Sequence, residues 1–96
     1  MITQNITIED RKGITVLFDE WFLWFLHENK LTLSTPVKEY NGREYTIEDI
    51  YNALLKSVGL QNKIKPALEM LGSYGITPLQ YFSDILGFYV DTGYIE

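Results

Sequence analysis

The stretch DEWFLWFLHEN, residues 19–29, sets six apolar side chains in a row, Trp21 to Leu26, between charged flanks. In a chain of 96 residues such a run has to be the centre of a fold or a surface that something else covers. It is the longest apolar run in the sequence, and a membrane span takes about 20 such residues. From Ile14 onward, Ile14, Leu17, Phe18, Trp21 and Phe25 share one stripe at helical spacing, which predicts a core-facing helix with Asp19 as its N-cap. Phe22, Leu23 and Leu26 fall outside that stripe. They are covered by other helices or form an interface, and both readings stay open.

The rest of the chain has to supply the cover. Forty-six per cent of its residues are hydrophobic and 22% charged, which suits one soluble globular domain over residues 1–96. There is no cysteine, so disulfides, thiolate nucleophiles and Cys-based zinc sites are excluded and the core alone has to hold the fold. The first residues, MITQNITIEDRKG, show neither a basic n-region nor an apolar h-region, so the expected location is cytoplasmic.

Two helices announce themselves by their caps. In YTIEDIYNALLKSVG, Thr46 and Asp49 make a capping box and Gly59 a stop, with Ile47, Ile50, Tyr51, Leu54 and Val58 on one face. In ITPLQYFSDILGFYVDTG, Thr77 caps, Pro78 suits the first position and Gly93 follows the end. Its polar residues Gln80, Ser83, Asp84, Gly87 and Asp91 form one narrow stripe, so this helix should be largely surrounded. A shorter helix is expected from about Lys65 to Leu71, with Pro66 near its start and Gly72 at its end. Residues 37–46 read as a β-hairpin turning at Asn41-Gly42, both of which tolerate positive φ. That turn aligns Lys38, Tyr40, Arg43 and Tyr45 on one face and sets Glu39 opposite Glu44 on the other. Residues 5–18 fit a second hairpin or, because TIED recurs at the start of the Thr46 helix, a helix from Thr7. The fold class expected is therefore mainly α: about four helices, a small hairpin at 37–46 and an N-terminal hairpin as the favoured reading of 5–18.

No catalytic constellation emerges. His27 is the sole histidine and closes a helix, where a solvated or capping role suffices. Glu9-Asp10, Asp19-Glu20 and Glu48-Asp49 are adjacent pairs, which point about 100° apart on a helix and sit where the helix dipole favours acids. No phosphate loop, dinucleotide fingerprint or calcium loop is present, so no catalytic residue, cofactor or metal is expected.

Charge and aromatic content point toward protein partners. Residues 1–65 carry nine acids and eight bases, whereas 66–96 carry Glu69, Asp84, Asp91 and Glu96 and no base. A net charge of −5 disfavours nucleic acid and anionic membranes. Tyrosines enrich at interfaces because they bring area with few rotors and a polar tip. The expected partner is a larger protein with a basic surface, occluded by a small acidic inhibitor, antidote or adaptor. Phage anti-defence and immunity-type proteins offer an analogy of size and charge. The candidate contact residues are Phe22, Leu23, Leu26, Tyr81, Asp84, Tyr89, Asp91 and Tyr94. Two alternatives stand beside this reading. One is a homo-oligomer, at its simplest a homodimer, joined through helix 19–29 and enclosing a small ligand; the other is a helix-turn-helix DNA binder through 47–71.

Overall fold

The computed structural model describes residues 6–9 and 15–95. The chain opens with strand β1 (Thr7–Glu9), paired antiparallel with β2 (Thr15–Leu17) in the register Thr7↔Leu17, Ile8↔Val16, Glu9↔Thr15. The N-terminal segment is thus a hairpin and not a helix, as its β-branched residues favour. The residues between the two strands, Gly13 and the stripe residue Ile14 among them, lie outside the described residues. Helix α1 (Phe18–Glu28) follows without a break. Asp19 is inside its first turn and not its N-cap; Leu17 holds that position with no side-chain cap. The helix ends in a Schellman arrangement: Lys30, at φ 59°, donates its amide to His27 O and Leu31 donates to Leu26 O.

The second hairpin is β3 (Pro36–Tyr40) and β4 (Arg43–Thr46). Asn41 and Gly42 both take positive φ, and the pairs are Tyr40↔Arg43, Glu39↔Glu44 and Lys38↔Tyr45, with a register shift before Lys38. The expected cluster forms on one face, with Lys38 Nζ 5.6 Å from the Tyr40 ring and the Arg43 guanidinium 4.6 Å from Tyr45. Glu39 and Glu44 face solvent on the other.

Helix α2 (Ile47–Leu55) begins where its capping residues require, and Asp49 accepts the Thr46 amide at 2.9 Å. Its first two amides, Ile47 and Glu48, donate to Thr35 O and Leu33 O, so the preceding loop satisfies groups the helix cannot. The helix stops at Leu55 and not at Gly59. Ser57 is the reason: its hydroxyl accepts the Leu60 amide and starts helix α3 (Val58–Tyr74), which takes Gly59 into its first turn. The short helix expected at 65–71 is therefore the second half of a 17-residue helix, with Pro66 in its interior and Gly75, not Gly72, as its left-handed stop. Helix α4 (Pro78–Asp91) has the boundaries and the Thr77 cap its sequence announces.

The core lies where the four helices meet. Phe18, Phe22, Ile47, Ile50, Leu54, Phe82 and Leu86 are fully buried there, and Phe22 stacks on Tyr51 and meets Phe82 at a tilt of 56°. The polar Gln61 is buried with them, its Nε2 donating to Leu54 O at 2.9 Å and its Oε1 accepting from Ile6 N at 3.0 Å. The second hairpin covers α4: Tyr40 lies 3.6 Å from the position a Gly87 Cβ would take, and its hydroxyl donates to both Asp91 oxygens at 3.1 and 3.0 Å. Helix α4 is less enclosed than its apolar arc suggests, since Phe88 is 57% exposed.

Candidate functional site

Helix α1 begins at Phe18, and this start decides which of its apolar residues face inward. Phe18, Trp21, Phe22 and Leu26 recur at three and four residues and are buried. Phe22 and Leu26, expected as contact residues, are therefore core residues unavailable to a partner. The expected stripe was rotated because it counted Leu17, which belongs to a period-two strand and is itself exposed. Leu23 keeps its outward position at 41% exposure, and Trp24 on the opposite flank is 49% exposed.

Trp24 opens onto a groove of about 510 Å³. Trp21, Trp24, Phe25 and Glu28 from α1 form one wall, which follows from spacing, since these four share one side of the helix at about 100° per residue. Leu68, Glu69, Leu71 and Gly72 of α3 form the other, and Ile76, Thr77 and Pro78 close the end. Trp21 and Phe25 stack at 5.5 Å, which fixes the wall. Gly72 contributes a smooth patch: a Cβ there would meet nothing within 4 Å. One cation already sits at this wall. Lys65 Nζ lies 5.6 Å from the Trp21 ring centroid and 2.9 Å from Glu69 Oε1. That lysine is therefore spoken for, which weakens the case for α3 as a DNA-reading helix.

The other expected contact residues gather on α4 and, for Tyr94, just past its end. Tyr81, Tyr89 and Tyr94 line a shallow cleft of about 170 Å³ together with Phe88, Ile85 and Lys63. Tyr89 is buried and so is mainly a wall of the core, whereas Tyr94 and Phe88 are open, their rings 6.3 Å apart. Asp84 is exposed on the adjoining strip, and Asp91 is exposed but held by Tyr40. Burial raises the pKa of Tyr81 and, more strongly, of Tyr89, with the neighbouring tyrosines adding to the latter. Tyr40 is raised chiefly because its hydroxyl bonds the Asp91 carboxylate.

Leu23 stands apart from both surfaces. Sequence reading missed Trp24, Glu28 and Phe88; the four-residue step from Trp24 to Glu28 on one helix flank was the available signal. Among the described residues no group of three or more His, Asp or Glu is placed to hold a metal ion, and no helix is long and apolar enough to cross a membrane. No family model, no curated protein and no solved structure matches the chain, so geometry alone carries the functional reading.

Proposed function

We propose that this protein is a non-enzymatic interaction module that captures a basic, partly apolar segment of a larger protein and occludes it, as an inhibitor, antidote or adaptor does. The observation behind this reading is the groove between α1, α3 and α4. A tryptophan left half in water at its lip is costly unless something covers it, and its apolar floor is rimmed by Glu28 and Glu69. The net charge of −5 adds long-range attraction for a basic partner.

The test is affinity capture from cell extract with two baits, the parent and Gly72→Leu. A leucine at 72 has room in the fold but takes space in the groove. The parent should retain a basic protein that Gly72→Leu loses while keeping the parent's circular dichroism and melting curve. Equal capture by both baits would remove the groove from the interface. Self-association is a second reading, favoured by the exposure of Phe88 beside Tyr94. A solution mass that doubles with concentration and reverts to monomer in Phe88→Ser would support it.

A further inference from the structure

We infer that the groove recognises a lysine side chain of its partner, whose ammonium sits on the Trp24 ring opposite the Glu28 carboxylate. This rests on the groove being the docking site. The protein's own Lys65 supplies the pattern: its ammonium is shared between an indole, Trp21, and a carboxylate one helical turn away from it in α3, Glu69. Both members of that pair line the groove. On the same wall of α1, Trp24 and Glu28 repeat the combination of indole and carboxylate, and Trp24 is 49% exposed where Trp21 is 4% exposed.

An indole is the best ring for a cation, and the attraction grows when the site is partly desolvated. A carboxylate beside it favours an ammonium over a neutral amide of the same length. The floor of Leu68, Leu71 and Ile76 is apolar, so it fits the aliphatic stem of a lysine and an apolar neighbour in the partner segment. Glu69 is already matched by Lys65, which leaves Glu28 as the carboxylate that sets the charge preference. The occupant is thus an apolar segment carrying lysine, in a basic protein.

The probes are three short labelled amphipathic peptides, Leu/Lys, Leu/Gln and Leu/Glu, followed by fluorescence anisotropy at low ionic strength. The Leu/Lys peptide should bind saturably and about tenfold more tightly than Leu/Gln. Trp24→Leu should keep apolar binding and reduce the preference for lysine, which Glu28 alone then supports. Glu28→Lys should weaken Leu/Lys binding and move the preference to Leu/Glu, whereas Asp84→Asn, on the other surface, should change neither. Equal affinity for Leu/Lys and Leu/Gln in the parent would overturn the inference, as would a preference that survives Glu28→Lys. If the two bind equally and Gly72→Leu abolishes both, lysine recognition falls and the docking groove stands. If no peptide binds, the inference fails outright, and capture by the Gly72→Leu bait decides the groove separately.

Discussion

Gln61 uses both ends of its buried amide, one on the last turn of α2 and one on the entry to β1. A neutral side chain there links by hydrogen bonds two elements that also share the apolar core, where Ile6 and Ile8 pack against the buried cluster that includes Leu54. Gln61→Leu should keep the volume but strand the Ile6 amide and take one donor from the Leu54 carbonyl, which keeps the Ser57 amide, at a cost of about 1–3 kcal/mol by urea denaturation. An unchanged midpoint would mean that water replaces both bonds. Two adjacent residues of α1 give a sharper contrast. Phe22 has no exposed surface and touches Phe18, Tyr51 and Phe82, so Phe22→Ala should cost about 3–5 kcal/mol. Leu23 is one residue away and 41% exposed, so Leu23→Glu should move stability by no more than about 0.5 kcal/mol in the same melts. A large loss in Leu23→Glu would mean that a second copy or a partner covers it.

Among the elements, α3 carries the largest internal tension. Pro66 has no N–H to offer the carbonyl four residues back, an interior position that disfavours a helix by about 3 kcal/mol. The helix persists because Leu60, Ile64, Leu68 and Leu71 lie buried along its whole length, two before and two after the proline. Packing holds what local preference would break. Pro66→Ala should therefore raise the unfolding midpoint, with a gain of about 1–3 kcal/mol after the unfolded chain recovers its freedom. A loss would show that the proline's shape is what fits α3 to the core. The hairpin and α4 show the opposite economy. Gly87 leaves room for Tyr40, whose ring packs on the helix and whose hydroxyl reaches Asp91. A polar stripe that looked free for a partner is thereby half used by the fold.

For the whole molecule, tyrosine makes stability depend on alkaline pH. Tyr40, Tyr51, Tyr81 and Tyr89 all hold their protons more tightly in the fold than at their ordinary value of about 10. Unfolded tyrosines ionise at that ordinary value, so above it the unfolded state binds fewer protons and gains on the folded one. Stability should be complete below about pH 10 and fall as the pH rises past it. Tyr89, raised furthest by burial, contributes most. A series of melts from neutral to alkaline pH should show this decline, and Tyr89→Phe should push its midpoint to higher pH. A decline of the same position and steepness in Tyr89→Phe would assign it to other groups.

What the sequence determined by itself depends on near neighbours. The caps at Thr46 and Thr77, the Asn41-Gly42 turn with its facing pairs, and the mainly helical class follow from hydrogen bonds and φ preferences within a few residues. Only the tertiary structure decided where the apolar faces point and how far α3 runs. A hydrophobic stripe names a side of a helix only once the helix's first residue is known, and β2 claimed Leu17 through pairing with Thr7. Likewise Ser57 and the buried leucines of α3 outweighed Gly59 and Pro66, whose local preferences pointed the other way. The groove is the clearest case. Trp24 and Glu28 are neighbours by helical spacing, but Leu68, Leu71 and Ile76 join them through packing across 40 residues or more, a relation no local pattern encodes.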